Sequence, residues 1–205
     1  MSSVTCQMSI SLDGFVAGPD QSPDNPIGIG GMALHKWHLG DEFASDADRE
    51  MAARLMSPRG AYVMGRNMFG PIRGEHDPDW RGWWGDEPPY HTPVFVLSHH
   101  ARKPLSMRGG TTFNFVTEGI ESALTQARSA AGDKDVAIAG GARTVQQYLA
   151  AGLLDELYLH IVPVILGTGE RLVEGVGDPT LEPVKVIASP AVTHVEYRIV
   201  RPRRR

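Results

Sequence analysis

Hydrophobic and polar positions change period repeatedly along this chain, and each change marks an element. Val4–Ser11 reads as a first buried strand, closed by the turn dipeptide Asp13–Gly14. Residues 17–40 are rich in Gly, Pro and Asp with no sustained period, which predicts a long loop. Phe43, Ala47, Met51 and Leu55 recur at every fourth position, the signature of one helix face, and that helix must stop before Pro58. Ala61–Met64 is a short apolar run leading into Gly65-Arg66-Asn67. Residues 70–92 hold Trp80, Trp83, Trp84 and four prolines but no period. A loop of that length inside a compact domain is usually functional.

The second half is more regular. Val94–Leu97 and Phe113–Val116 read as strands, and Ile120, Leu124 and Ala127 mark a helix with Gly132 as its stop. The segment Val136–Ala139 is a buried strand that meets a helix through Gly140–Gly141. A further strand opens at Asp155–Glu156. Val195, Tyr197 and Ile199 alternate with Glu196 and Arg198, so the last strand has one wet face. Short apolar strands alternating with helices predict one α/β domain over residues 1–200. Its central sheet is mixed but mainly parallel, covered on both sides in three layers, with an antiparallel C-terminal edge. Residues 201–205 form a basic tail.

Composition narrows the function. The chain has 205 residues, 41% hydrophobic and 21% charged, with a net charge of −4. Without the four arginines of the tail, sixteen basic residues face twenty-four acidic ones, a net of −8. An acidic body argues against a nucleic-acid groove. The apolar runs fall well short of the ~18–20 residues of a membrane span. No secretory pattern is visible at the N-terminus, and the single cysteine, Cys6, fits a reducing cytoplasm.

Two strand ends carry candidate phosphate seats. At Gly140–Gly141 bare backbone reaches a helix N-terminus, and Ala142, Arg143 and Thr144 open that helix with small and donor residues. The alternative is a tight turn, since the dinucleotide fingerprint G-x-G-x-x-G is absent. At Gly65-Arg66-Asn67 a glycine again ends a strand, beside an arginine able to grip phosphate bidentately or to lie solvated. Ligands of open α/β sheets bind beyond the carboxyl ends of the strands, where these candidates sit. Ser98 and Arg102 follow the next strand and would face the same ligand, or serve as strand-end caps. Asp13 is either a turn residue or a carboxylate for an amide edge or a proton. His35-x-x-His38 and His99–His100 lack the spacing of a metal site, and no nucleophile elbow is present.

Together these residues resemble the dihydrofolate-reductase-like superfamily, in the branch named for the C-terminal reductase domain of the riboflavin-biosynthesis deaminase/reductase. The matching pieces are Ser11-Leu12-Asp13-Gly14, Val63-Met64-Gly65-Arg66-Asn67-Met68-Phe69 and Val96-Leu97-Ser98. Gly140-Gly141 and the stretch from Asp155-Glu156-Leu157 to Pro163-Val164-Ile165-Leu166-Gly167 complete them in the family's order.

The resemblance implies an NADPH-dependent reductase that passes hydride to a C=N or C=O of a small pterin- or pyrimidine-like substrate. It places Gly140, Gly141 and the helix start at the pyrophosphate, Arg66 and Ser98 near the adenosine 2′-phosphate, and Asp13 by the nicotinamide and substrate. It also implies a homodimer. The alternatives are a nucleotide- or pterin-binding protein without turnover and a flavin- or deazaflavin-dependent reductase.

Departures from the pattern matter too. The sequence has no deaminase-type zinc motif, and Gly31–Glu42 lacks that branch's usual substrate loop. Trp37-His38-Leu39 with Glu42 is loosely similar to the Trp-x-Leu…acid element of dihydrofolate reductases. That makes Glu42 a second candidate acid, or merely a helix-start carboxylate. The Trp80–Trp84 loop matches neither enzyme and would wall the substrate pocket.

Overall fold

The computed structural model describes residues 2–39, 45–70 and 79–200. The tail and Glu42 therefore lie outside the described residues, as does Phe43 at the start of the predicted helix. The elements run β1 (Val4–Ser11), β2 (Phe15–Ala17), a 3-10 turn (Gly31–His35), α1 (Asp46–Leu55), β3 (Ala61–Gly65) and α2 (Arg66–Phe69). There follow β4 (Pro93–Leu97), β5 (Leu105–Ser106), a 3-10 turn (Arg108–Gly110), β6 (Thr112–Val116), α3 (Ile120–Ala131), β7 (Val136–Gly140) and α4 (Ala142–Ala150). The chain ends with β8 (Glu156–Val162), β9 (Glu170–Arg171), β10 (Thr180–Ala188) and β11 (Thr193–Val200).

Nine strands form one sheet in the order β10-β11-β8-β1-β7-β3-β4-β6-β5. The six strands from β8 to β6 are mutually parallel. The pairs β8–β11, β11–β10 and β6–β5 are antiparallel. Strands β2 and β9 make a separate small ladder.

The parallel centre of the sheet is covered on both sides. On one face Val4, Cys6, Val63, Phe95, Val136 and Ile138 pack against Ala123, Leu124 and Ala127 of α3 and Val145, Tyr148 and Leu149 of α4. Those α3 residues fall at i, i+1 and i+4, one stripe of a helix, and Gly132 closes it at φ 60° as the sequence predicts. Near β3 and β4 the other face is covered by Phe69 of α2 and by Trp80. Around β1, β8 and β11 it is covered by Leu34, Trp37 and Met51. The predicted three-layer, mainly parallel α/β domain is the fold observed.

The final strand, however, is not the edge. The nine-residue β10, which sequence reading left out, pairs outside it. Its pattern hides it: most of its residues are exposed on both faces, so TLEPVKVIA shows no clean alternation, and Pro183 sits at a register shift.

Candidate functional site

The order β1-β7-β3-β4 puts the carboxyl ends of four parallel strands side by side. Gly140 ends β7 and Gly65 ends β3, on neighbouring strands. The two glycine segments, separate in sequence, meet in space. A Cβ built on Gly65 would lie 2.5 Å from Thr144 Oγ1, 3.7 Å from the Gly140 carbonyl oxygen and 3.8 Å from Gly141 N.

Gly140 has φ +116°, a conformation that side-chain-bearing residues rarely adopt, and the Gly140–Gly141 peptide is cis. Met8 of β1 and Met68 of α2 flank Gly140, their sulfur atoms 3.6 and 3.5 Å from where its Cβ would be. Gly141 is different: nothing lies within 4 Å of a Cβ there, so its backbone faces open space. It caps α4, and the N–H groups of Thr144 and Val145 both donate to its carbonyl, at 3.0 and 3.2 Å. The N–H groups of Ala142 and Arg143 precede the first N–H with an acceptor inside the helix, that of Thr144, and point out of the helix end. Ala142 and Thr144 turn inward and are buried, while Arg143 is exposed.

The other predicted residues ring this centre. Arg66 opens the single-turn α2, half-buried, its Nη1 3.4 Å from the Oδ1 of exposed Asn67. Ser98 follows β4; its N–H donates to the Val116 carbonyl and its hydroxyl accepts from the His100 N–H, each at 3.0 Å. The capping role held open for Ser98 is thus present. Arg102 is directed to the tryptophan loop, where Nη2 donates to the Trp80 carbonyl at 2.8 Å and the guanidinium lies 5.1 Å from the Phe115 ring. Trp80 in turn donates Nε1–H to the Phe69 carbonyl at 2.9 Å, which fixes that part of the loop against α2.

Asp13 joins the ends of β1 and β8. Its Oδ1 accepts from the Ser11 hydroxyl at 2.6 Å and the Leu166 N–H at 3.1 Å, and Oδ2 accepts from the Gly167 N–H at 2.7 Å. These donors, the Ser11 hydroxyl first, hold the carboxyl down at about 2. Leu166 also reaches back to the loop that precedes the 3-10 turn, 3.3 Å from a Cβ position on Gly30. His35 Nδ1 and His38 Nε2 lie 3.1 Å apart. Among the described residues no cluster of three or more His, Cys, Asp or Glu could hold a metal. Burial pushes the Cys6 thiol up to about 12, so it is a core residue and not a nucleophile.

Sequence reading missed Met8 and Met68 at Gly140. Alternation on β1 marks Met8 only as a core position, and nothing in spacing aligns it with residue 140.

A parallel-centred sheet whose clustered glycines and helix N-terminus sit at the strand ends agrees with the dihydrofolate-reductase-like class. Residues 2–195 match the RibD C-terminal domain model, so the chain belongs to that family and is an oxidoreductase by class. It is 22% identical over 173 residues to the uncharacterized protein YyaP of Bacillus subtilis, covering 82% of this chain and 79% of that one. Among solved structures it is similar to a putative riboflavin biosynthesis protein of Shewanella sp. PV-4, with TM-score 0.64 and 24% identity, over 97% of this chain and 99% of that one. It is also similar to the riboflavin biosynthesis reductase Rib7 of Saccharomyces cerevisiae, with TM-score 0.60 and 12% identity, over 97% and 90% of the two chains. Against RibD of Acinetobacter baumannii, with TM-score 0.59 and 17% identity, it covers 98% of itself but 59% of that chain. No helix among the described residues is long and apolar enough to cross a membrane.

Proposed function

We propose that this chain is an NADPH-dependent reductase of a small pyrimidine- or pterin-like substrate. The observation that carries the reading is the convergence of Gly65 on Gly140–Gly141 beside the start of α4, with open space over Gly141. A diphosphate fits such a place, because bare backbone lets it approach and outward N–H groups and the helix dipole favour its charge. Gly140, Gly141, Ala142, Arg143 and Thr144 would hold the pyrophosphate. Gly65, Arg66, Asn67 and Ser98 would face the adenosine 2′-phosphate. NADPH supplies a hydride when bound there.

The chain's own residues bind and orient. Asp13 stays ionised at any working pH because three donors hold it, so it suits an acceptor that orients the substrate better than a group that gives up a proton. Glu42 is retained as the second acid. Arg102 enters through Trp80, keeping the tryptophan loop in place as a wall that excludes water. The same reading includes a cytoplasmic homodimer with neither a nucleic-acid nor a membrane partner. Its acidic body argues against a nucleic-acid groove.

The test pairs NADPH binding with NADPH oxidation against a panel of pterins, pyrimidines and carbonyl compounds. Arg66→Ala should weaken NADPH by about 10–100-fold, the worth of a charge-assisted phosphate contact, and NADH far less. Equal loss for both removes the 2′-phosphate assignment, and absence of NADPH binding at millimolar concentration removes the proposal.

A further inference from the structure

The sheet face under α1 and residues 31–39 is unusually polar. Ser9, His160 and His194 lie in register across β1, β8 and β11, at 8%, 2% and 3% exposure. His194 Nε2 lies 2.9 Å from Oδ1 of Asp48, a fully buried carboxylate of α1, and the Nδ1 atoms of His194 and His160 are 2.8 Å apart. Burial works against the Asp48 charge. Hydrogen bonds from His194, Ser189 and Ser45 outweigh it and lower the carboxyl below its usual range. Trp37 covers the pair, its ring 4.6 Å from His160 and 5.0 Å from His194, and its Nε1–H donates to Ser9 Oγ at 3.0 Å. His38 lies 4.7 Å from the Trp37 ring, with His35 beyond it. At the other end of α1, Arg54 reaches Tyr158 and Glu196, and Tyr158 donates to Glu156. Lys185 of β10 stands 3.7 Å from Glu50 at the exposed margin.

Proton counting shows what this arrangement tolerates. The ionised Asp48 only accepts, so His194 Nε2 carries a hydrogen. Two Nδ1 atoms 2.8 Å apart hold one hydrogen between them. The pair therefore carries at most one positive charge, beside Asp48. A second imidazolium would set two N–H groups against each other. His160 Nε2 has no hydrogen-bond partner among the described residues to soften that. Burial first, then the charges of His194, His38 and Arg54, push His160 down to about 3.

We propose that Asp48, His194 and His160 form an acid-operated latch, which fastens α1 and residues 31–39 to the sheet at neutral pH and releases them as the pH falls. The sign follows from the proton count. Released, His160 binds a proton near pH 6.5; fastened, it does not until about pH 3. Closure is therefore complete above pH 6.5 and weakens by about tenfold per unit below it. His38, lowered to about 4 by burial and then by His35, acts in the same direction.

Release need not unfold the domain. The apolar cluster beneath this layer is built on Leu34, Trp37, Met51, Val162 and Val192, whereas the main core lies on the opposite face under α3 and α4. The latch also reaches the site. Leu166 packs against the Leu34, Trp37 and Met51 cluster, and its N–H donates to Asp13.

Hydrogen exchange of the whole chain tests this, with protection factors corrected for the intrinsic rate at each pH. Between about pH 6.5 and about pH 4.5 the amides of α1 should lose at least about 100-fold in protection while those of α4 hold. His160→Gln should make the α1 response shallower, leaving only the share carried by His38. Parallel loss in α1 and α4 overturns the latch from the wild-type data alone, even where the variant does not fold. A His160→Gln protein with the wild-type slope overturns it too. Neither readout depends on turnover, so failure here leaves the reductase proposal standing.

Discussion

The contact between Gly65 and Thr144 fixes the end of β3 against the start of α4, and Gly65→Ala tests it quantitatively. Gly65 has φ −75° and ψ 154°, an ordinary extended conformation, so alanine meets no backbone penalty. On conformational grounds alone the substitution should stabilise the chain by about 0.4–1 kcal/mol through its unfolded state. The added methyl, however, would stand 2.5 Å from Thr144 Oγ1, closer than real Cβ contacts come. Thr144 is 5% exposed and β-branched, so its χ1 has few alternatives and the helix start must shift. Overpacking of this kind costs about 1–3 kcal/mol. The steric term wins, for a net loss of about 1–2 kcal/mol.

Urea denaturation should show a lower midpoint at unchanged slope. Thr144→Ala removes the obstructing oxygen. In the double variant the steric term should vanish and leave Gly65→Ala slightly stabilising, a favourable coupling of about 1–3 kcal/mol. A Gly65→Ala protein as stable as wild type, or additive behaviour in the cycle, would refute the steric argument. The same shift would displace Gly141 and the α4 N–H groups, so NADPH affinity should fall with Gly65→Ala and recover in the double variant.

Two further substitutions separate support from ligand contact. Arg102→Ala should destabilise the chain by about 1–3 kcal/mol, the worth of a charged hydrogen bond to a carbonyl, and should expose the Trp80 loop to proteolysis. It should leave the proposed preference for NADPH over NADH unchanged, and loss of that preference would instead assign the guanidinium to the 2′-phosphate. Asp13→Asn turns an amide NH₂ toward N–H donors and should lower the melting temperature at neutral pH. Because the Asp13 carboxyl falls from 3.8 to about 2 on folding, its contribution is present above pH 4 and lost toward pH 2. The variant should lack that share of the acid response, and an identical acid limb in both proteins would show that the carboxylate contributes nothing.

What could be read from the sequence divides by range. β1, α3, β7 and α4 are legible because their periods are local and their stops, Asp13–Gly14, Gly132 and Gly140–Gly141, are chemical. Strand-end reasoning puts Gly65 and Gly140 at the same edge of one sheet, but that they are neighbours follows from the strand order β7-β3, which no local pattern gives. Arg102 shows the limit of that reasoning: it ends near the right strand, but its partner is the Trp80 carbonyl, twenty-two positions away in sequence. The pairing of His160 with His194 and Asp48 leaves no local trace. His194 and His160 read as isolated polar positions on strands. Asp48 reads as a first-turn carboxylate suited to the helix dipole, which it also is.

The two faces of the sheet also do different work. Under α3 and α4 the packing is apolar around Val4, Cys6, Val63 and Ile138, none of which can titrate at neutral pH. The proposed phosphate seat is built on α4, so its geometry should be indifferent to acid. Under α1 the apolar cluster of Met51, Leu34 and Trp37 is joined by polar contacts: the shared proton of His160 and His194, and the ion pair of Arg54 with Glu196, 3.1 Å apart. A buried polar contact of this kind holds only while every partner keeps its protonation state. Acid should therefore act on the Asp13 side of the site before it reaches the Gly140–Gly141 side. The expected order is loss of substrate turnover at a pH where NADPH still binds.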